Sequence, residues 1–179
     1  MQKEFKIKNE EYYPAEDTNF LAEYIQNEKG ISALDIGSGS GYLTKLLEKS
    51  FSFVVGTDID FQVLANQTYK TDNLVCCNAA DPLNLEFDLV VCNLPYLATN
   101  EILDISTDGG KEGLEIPTKI ISSAQKYVGK KGKFLFVTSS LSNYNKLVRF
   151  TENLGFTVRI VATKKLFFEE LVLVEAKWE

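Results

Sequence analysis

Short apolar runs alternate along the chain with segments whose apolar residues recur every three or four positions. The runs predict seven strands, at residues 31–36, 53–57, 74–77, 87–92, 133–137, 156–162 and 171–176. The segments between them predict helices, because apolar residues three and four apart lie on one helical face. Strands that alternate with helices are typical of an α/β fold with a mostly parallel sheet and helices on both faces. Only the strand at 156–162 alternates clearly with less apolar residues, which predicts a half-exposed strand near an edge.

A few residues mark the expected ends of the helices. Asp17 or Thr18 can cap an N-terminal helix. Pro117 is tolerated in a first helical turn, and Gly129 is placed to end the helix that Pro117 begins. Ser142 can cap a further helix that runs to about residue 154.

Composition and charge narrow the class of protein. The chain has 179 residues, 45% of them hydrophobic, so we expect a single domain over residues 1–179. We expect residues 1–30 to form a strand-and-helix extension that contributes to the ligand site.

The net charge of the chain bears on its partners. Nineteen basic and 25 acidic residues give a net charge of −6, which makes direct nucleic-acid binding unlikely. No apolar stretch is long enough to cross a bilayer and no signal-peptide core is visible, so we expect a cytoplasmic protein without membrane contact.

The three cysteines, Cys76, Cys77 and Cys92, lie in apolar runs. Their number is odd, they lack paired CxxC spacing, and the chain contains no histidine. This pattern favours small buried side chains in a reducing compartment, and we expect no metal site.

A glycine-rich loop follows the first predicted strand. The sequence ALDIGSGSGY places Asp35 at the strand end and glycines at positions 37, 39 and 41. Glycines let the backbone turn sharply and approach a ligand closely, because no Cβ blocks it. The acid two residues before Gly37, and the Gly-x-Gly-x-Gly spacing, differ from the dinucleotide pattern Gly-x-Gly-x-x-Gly. The loop therefore favours a cofactor that carries an ammonium group.

Carboxylates also follow the next two predicted strands. Asp58 lies 23 residues after Asp35 (58 − 35), where a carboxylate can accept hydrogen bonds from both hydroxyls of a ribose. Asp60 competes for that role. Asp81 lies where a carboxylate or the neighbouring backbone would meet an adenine amino group. Each of these acids alone could be a solvated loop residue or a helix cap, but acids at successive strand ends indicate a site.

The fourth predicted strand runs directly into the tetrapeptide Asn93-Leu94-Pro95-Tyr96. The Asn93 side-chain oxygen and the next backbone carbonyl can each accept one hydrogen of an NH2 group. Pro95 stiffens the turn, and Tyr96 can lie against a flat conjugated group. Alone, the tetrapeptide could be an ordinary strand-to-loop transition. Next to the glycine loop, it predicts a site that holds a planar nitrogen and aims its lone pair at a methyl group.

These motifs together resemble the class I S-adenosylmethionine-dependent methyltransferases over nearly the whole chain. Within that class, the segment from Tyr13 to Thr18, YPAEDT, resembles the YxPAEDT segment of the eukaryotic and archaeal short form of the HemK-type release-factor glutamine methyltransferases. The resemblance implies a Rossmann-like fold with an antiparallel last strand and S-adenosyl-L-methionine as cofactor. It also implies methylation of the Gly-Gly-Gln glutamine in a class 1 peptide-chain release factor.

The resemblance assigns roles to individual residues. For the cofactor, it implies Thr18 near the methionine carboxylate, and Asp35, Gly37 and Gly39 around the methionine end. It also implies Asp58 on the ribose, Asp81 at the adenine and Asn93 beside the cofactor. For the substrate, it implies that the glutamine is surrounded by Asn93, Leu94, Pro95 and Tyr96. Asn93, Pro95 and Tyr96 are the expected catalytic residues. The segment GGKEG at 109–113 resembles the family's GGRxG loop beside the substrate. Family members of this short type, without an N-terminal helical domain, work with a small zinc-binding activator protein.

Leu94 departs from the family pattern, which has proline at this position. NLPY also resembles the motif of ribosomal RNA adenine dimethyltransferases, so adenine N6-methylation of RNA or DNA stays an alternative. Those enzymes carry an additional C-terminal helical domain, whereas this chain ends in the strand-like segment LVLVEAKWE. A non-catalytic S-adenosylmethionine-binding subunit is a further alternative.

Overall fold

The computed structural model of the protein describes residues 14–178. Tyr13, which opens the YxPAEDT-like segment, and the strand expected in the N-terminal extension lie outside the described residues. None of the helices within residues 14–178 is long and apolar enough to span a membrane.

Seven strands form one sheet: Gly30–Ile36 (β1), Phe51–Asp58 (β2), Leu74–Cys76 (β3), Phe87–Asn93 (β4), Val128–Ser139 (β7), Phe156–Lys165 (β8) and Glu170–Trp178 (β9). Their order in the sheet is β3-β2-β1-β4-β7-β9-β8. β9 is antiparallel to both of its neighbours, and the other pairs are parallel. All seven predicted strands and the antiparallel last strand are therefore confirmed, and β8 is a partly exposed edge strand, as expected. Its alternation breaks at Ile160, which is 46% exposed beside a register shift between Ile160 and Ala162.

Five α-helices accompany the sheet within the described residues. They are Glu16–Ile25 (α1), Tyr42–Leu47 (α2), Phe61–Ala65 (α3), Glu115–Ala124 (α4) and Tyr144–Asn153 (α5). α1 and α2 pack on one face of the sheet, and α4 and α5 pack on the other. This arrangement confirms helices on both faces.

The two faces have separate cores because successive strand residues point to opposite sides. In β7, Phe134 and Phe136 pack with the α4–α5 side, and Leu135 and Val137 pack with the α1–α2 side. β4 divides in the same way. The central strands are therefore apolar at nearly every position, as parallel strands covered on both faces must be.

Helix ends differ from the sequence predictions in three places. α4 ends at Ala124 and a short 3₁₀ turn follows, so Gly129 lies in β7 and does not end the helix. Asn143, and not Ser142, caps α5, since its side chain accepts from the backbone of Lys146. Asp17 and Thr18 do not cap α1: they lie in its first turn, which begins after Ala15 without a side-chain cap.

The segment after β4 contains a second small sheet. Leu97–Ala98 (β5) pairs in parallel with Asp108–Gly110 (β6). Among the cysteines, Cys92 is buried as expected, but Cys76 is exposed because it lies on the short edge strand β3. All three are free thiols.

The buried leucine of β4 provides a test of this core. Leu89 is 1% exposed, whereas Leu85, just before the strand, is 53% exposed. We expect Leu89→Ala to lower the free energy of unfolding by about 2–5 kcal/mol, because it leaves a cavity between sheet and helices. Leu85→Ala, the matched control, should cost less than about 1 kcal/mol. Urea denaturation measures both, and equal losses would contradict the assignment of the core.

Candidate active site

A cavity of about 440 Å³ opens at the carboxyl edge of the sheet. Its walls come from the glycine loop after β1, the acids after β2, Asn78 and Ala79 after β3, and the turn after β4. Ligands of open α/β sheets bind outside the carboxyl ends of the strands. The cavity therefore lies where the sequence motifs predict a ligand.

The glycine loop lines this cavity with backbone. Gly37, Gly39 and Gly41 all have positive φ angles, of 75°, 52° and 82°. A Cβ on Gly37 would meet nothing within 4 Å, so the loop leaves open space at that point. A Cβ on Gly41 would collide with the Tyr69 carbonyl oxygen. One glycine thus keeps the cavity open, and another lets the loop pack against the chain beyond it.

The structure separates the roles of the two acids after β2. The Asp58 carboxylate lines the cavity and accepts hydrogen bonds from the backbone amides of Gly39 (3.0 Å) and Asp60 (3.0 Å). Asp60 also lines the cavity, but its carboxylate caps α3 by accepting from the Gln62 amide at 2.7 Å. Because the Asp60 carboxylate is engaged in capping α3, Asp58 is the better candidate for binding the ribose of a ligand.

Asp35 is fully buried behind the cavity and is not part of its wall. Its Oδ2 accepts a hydrogen bond from Thr44 Oγ1 at 2.6 Å, and its Oδ1 has no partner among the described residues. Burial raises the pKa of Asp35 to about 6, against the opposing effect of the Thr44 hydrogen bonds. The unpartnered oxygen is a buried acceptor next to the glycine loop.

Asp81 lies outside the cavity wall. It is exposed, and its carboxylate accepts from Ser123 Oγ at 2.8 Å and from Asn78 Nδ2 at 3.3 Å. Asn78 and Ala79 form the wall in its place. The structure thus brings Asp58 to the cavity but not Asp81.

The turn after β4 presents Asn93 and Pro95 to the cavity. Asn93 Nδ2 donates to Thr18 Oγ1 at 3.1 Å, and Thr18 also lines the cavity. Asn93 Oδ1 is buried and has no hydrogen-bond partner among the described residues. An unsatisfied buried acceptor costs about 1–3 kcal/mol, and an N–H donor from a ligand would satisfy it. The Asn93 side-chain amide is therefore held in place by Thr18, and its oxygen can accept a hydrogen bond from a ligand.

Leu94 and Tyr96 do not line the cavity. Leu94 is 2% exposed and its side chain packs in the α4–α5 core, which explains why an apolar residue other than proline fits there. The Tyr96 hydroxyl donates to Asp17 Oδ2 at 3.3 Å. Burial, followed by the charges of Asp17 and Glu169, raises the pKa of Tyr96 and keeps its hydroxyl protonated. Tyr96 therefore ties the turn to α1, and its ring packs in the α1–α2 core and not along the cavity wall.

The GGKEG segment packs directly against this turn. A Cβ on Gly109 would lie 2.7 Å from the Pro95 carbonyl oxygen, and a Cβ on Gly113 would collide with the Tyr96 carbonyl oxygen. Gly113 also has a positive φ of 68°. The two glycines are therefore required for close contact between the segment and the turn.

Sequence reasoning missed one part of the wall. Asp104, Ile105 and Ser106, from the loop between β5 and β6, line the cavity. Asp104 accepts from Ser106 Oγ at 2.6 Å, which orders the loop locally. The polar sequence of this loop contains no pattern that indicates its contact with the cavity.

The charges of the wall select for a cation. Asp58, Asp60 and Asp104 contribute carboxylates, and none of the described wall residues is lysine or arginine. A phosphate-bearing ligand would be repelled, whereas a ligand with ammonium and sulfonium charges would be attracted. These hydrogen-bond acceptors and their negative charges fit the ammonium and sulfonium groups of S-adenosylmethionine. Within residues 14–178, no group of three or more His, Cys, Asp or Glu side chains could hold a metal ion.

The fold and this cavity define a Rossmann-like methyltransferase domain. Residues 15–168 match the family described as the methyltransferase small domain, and the chain belongs to that family.

Two relatives are similar over most of this chain. A Methanocaldococcus jannaschii protein, provisionally named protein N5-glutamine methyltransferase, is 32% identical over 96% of this chain and 93% of its own length. The release factor glutamine methyltransferase of Buchnera aphidicola is 27% identical over 80% of this chain. The match covers 60% of that relative.

Among solved structures, a chain of the E. cuniculi Mtq2–Trm112 complex is similar in fold, with a TM-score of 0.80 and 24% sequence identity. The match covers 94% of this chain and 98% of that one. That complex is described as responsible for methylation of the eRF1 translation termination factor.

The buried carboxyl of Asp35 predicts a pH dependence of stability. Because its folded-state pKa of about 6 exceeds the unfolded value, its contribution favours folding below about pH 4 and is lost as the pH rises to about 6. We expect the free energy of unfolding of Asp35→Asn, relative to the wild type, to rise by up to about 3 kcal/mol between pH 4 and pH 7. Urea denaturation at a series of pH values measures this difference.

The exposed Asp104 provides the matched control of opposite sign. Its hydrogen bonds from Ser106 lower its pKa, so Asp104→Asn should become less stable relative to the wild type as the pH rises. A pH-independent difference between Asp35→Asn and the wild type would contradict the buried, ionisable state of Asp35.

Proposed function

We propose that this protein is an S-adenosylmethionine-dependent methyltransferase that methylates the side-chain amide nitrogen of a glutamine. The observation that carries the proposal is the hydrogen bonding of the Asn93 side-chain amide. Its amide nitrogen is held by Thr18, and its buried oxygen is left without a donor at the cavity wall. An NH2 group of a substrate is the donor that this arrangement accepts.

The cofactor would be held by residues from three strand ends. Asp58 would accept from the ribose hydroxyls, and the backbone around Gly37 and Gly39 would lie along the methionine end. Asp35, buried behind that backbone, would act on the ammonium group through its charge. We assign Thr18 to the methionine carboxylate and the region of Asp81, through Asn78 and Ala79, to the adenine. When bound, S-adenosylmethionine supplies an electrophilic methyl group.

The residues of the turn would activate the acceptor by orientation. An amide nitrogen is a poor nucleophile because its lone pair is delocalised. Asn93 Oδ1 and the Leu94 carbonyl would accept its two N–H hydrogens, and Pro95 would limit movement of the turn. These acceptors would also stabilise the positive charge that develops on nitrogen as the N–CH3 bond forms and the S–CH3 bond breaks, with the electron pair left on sulfur. The methylated nitrogen would then release one of its two protons to solvent. Tyr96 is then a positioning residue that acts through its hydrogen bond to Asp17.

The proposed acceptor is the Gly-Gly-Gln glutamine of a class 1 release factor. The names of the M. jannaschii and B. aphidicola relatives support a glutamine acceptor and, for the latter, a release factor. We also propose that the reaction takes place in the cytoplasm. We further propose that the protein works with a small activator protein, which we infer to bind zinc. The fold shared with a chain of the Mtq2–Trm112 complex supports such a partner.

The cofactor assignment predicts a difference between two neighbouring acids. Asp58→Asn should weaken S-adenosylmethionine binding by about tenfold or more, because it removes the charge that accepts the ribose hydrogen bonds. Asp60→Asn keeps a good helix cap and should change the affinity by less than about threefold. Isothermal titration calorimetry measures both, and equal effects would refute the choice of Asp58.

The acceptor assignment predicts that the wild-type protein adds one methyl group to the Gly-Gly-Gln glutamine of a purified release factor, with its activator present. Asn93→Ala should lower kcat by at least about 100-fold, because the acceptor loses its orientation. Cofactor affinity should stay within about threefold, because Asp58 and the glycine-loop backbone are unchanged. The exposed Asn27→Ala variant is the control and should be fully active. Mass spectrometry of the acceptor peptide and calorimetry provide the readouts.

Two results would contradict this function. Label from the cofactor on RNA or DNA, with none on protein, would identify an adenine methyltransferase. Cofactor binding without methylation of any substrate in cell extract, even with the activator, would identify a non-catalytic binding subunit.

A further inference from the structure

Two adjacent phenylalanines form an exposed apolar tip between β8 and β9. Phe167 is 92% exposed and Phe168 is 84% exposed. Their rings contact each other edge to face, with centroids 4.6 Å apart. Single exposed apolar residues are common on protein surfaces, but two adjacent and almost fully exposed aromatic rings form a surface suited to binding.

The turn that displays this tip is held in place. Leu166 N donates to Glu169 O at 2.8 Å, which closes the turn. Ser140, at the end of β7, donates its backbone amide to the Glu170 carbonyl at 2.9 Å and accepts from the Glu170 amide at 2.9 Å through its hydroxyl. Leu166 also packs on the α1–α2 core. A partner would therefore meet a surface that needs little ordering, which favours affinity.

The tip lies at the same edge of the sheet as the cavity. β8 runs in the same direction as β7, since both are antiparallel to β9, so its last residue lies at the carboxyl edge. Leu166, which precedes the tip, packs against the apolar cluster that contains Tyr96 of the turn after β4. Glu169, next to Phe168, also faces the Tyr96 hydroxyl. The tip is thus continuous with the turn that would hold the methyl acceptor.

Glu169 supports the tip from its buried side. Its Oε2 is buried, and its carboxylate faces the Tyr96 hydroxyl, whose pKa burial raises and this carboxylate raises further. The surface that the tip offers to a partner is therefore the pair of aromatic rings.

The charges near the tip favour a polypeptide over a nucleic acid. Glu169 and Glu170 follow the two phenylalanines directly. Of the two lysines that precede the tip, Lys164 is paired with Glu16 at 2.9 Å, and Lys165 is exposed, so acidic residues outnumber the available basic ones. Aromatic side chains that stack nucleic-acid bases usually lie in a positively charged groove. The cavity wall beside the tip contains carboxylates and none of the described wall residues is basic.

We propose that Phe167 and Phe168 are a docking point for the protein substrate and bind the polypeptide that flanks the target glutamine. This inference rests on the proposed function and adds to it a specificity-determining surface outside the cavity. Since the tip contacts neither cofactor nor the acceptor nitrogen, it acts on substrate affinity and not on the chemical step.

The test is a steady-state assay of the full chain, with its activator, on an intact release factor. The double variant Phe167→Ser/Phe168→Ser should raise KM for the release factor by about tenfold or more, because two aromatic contacts are lost. Its kcat should stay within about twofold of the wild type, and its affinity for S-adenosylmethionine should be unchanged. The double variant Phe167→Leu/Phe168→Leu keeps an apolar tip and should recover most of the affinity.

The matched control is Ile31→Ser/Leu85→Ser, which removes two exposed apolar side chains, 74% and 53% exposed, from the opposite edge of the sheet. It should leave KM unchanged. A KM of the Phe167/Phe168 double variant equal to that of an active wild type would overturn the docking point alone. A wild type inactive on every release factor would overturn the proposed function and the docking point with it.

Other occupants of the tip give different results. Analytical ultracentrifugation would detect a change from dimer to monomer if a second copy covers the tip. If the Phe167→Ser/Phe168→Ser variant no longer co-purifies with the activator, the activator is the occupant of the tip. If the variant no longer binds labelled RNA that the wild type binds, the occupant is a nucleic acid. Each of these results, with an unchanged KM for the release factor, would overturn the docking of a protein substrate.

Discussion

Two hydrogen bonds between the first turn of α1 and the turn after β4 organise the candidate site. Thr18 accepts from Asn93, and Asp17 accepts from Tyr96, across more than 70 residues of chain. The first bond decides which atom of the Asn93 amide is available, and the second holds the turn against the α1–α2 core. The segment PAEDT and the tetrapeptide NLPY therefore form one structural unit, although each looks like a separate motif in the sequence.

This coupling explains why the region after β4 is dense in glycine. With Tyr96 tied to α1, the carbonyls of Pro95 and Tyr96 face the GGKEG segment, and the space left there excludes any Cβ at Gly109 and Gly113. The segment is in turn tied to α5, because Glu112 forms an ion pair with Lys146 at 2.8 Å. The acceptor turn is thus supported by both helical layers, which suits a site that works by orientation.

Sequence patterns predicted the sheet well because each central strand is an apolar run bounded by polar residues. They failed where a local pattern fits two outcomes. Val128 is apolar and follows a helix, so it could extend that helix or begin β7, and only its pairing with Phe87 decides. Tyr96 could cover a ligand or pack in a core, and its side-chain direction depends on Asp17, nearly 80 residues away. The pairing of β5 with β6 uses main-chain atoms of very short segments, for which side-chain patterns give no signal.

The absence of basic residues among the described residues of the cavity wall has a consequence for turnover. Under the proposed reaction, methyl transfer converts a sulfonium into a neutral thioether, so the donor loses one positive charge. The negative charges of Asp58, Asp60 and Asp104 in the cavity wall do not change. The attraction that fills the cavity is therefore weaker for the spent donor than for the fresh one. The same carboxylates that recruit the reagent would then favour its exchange, which limits inhibition by the product.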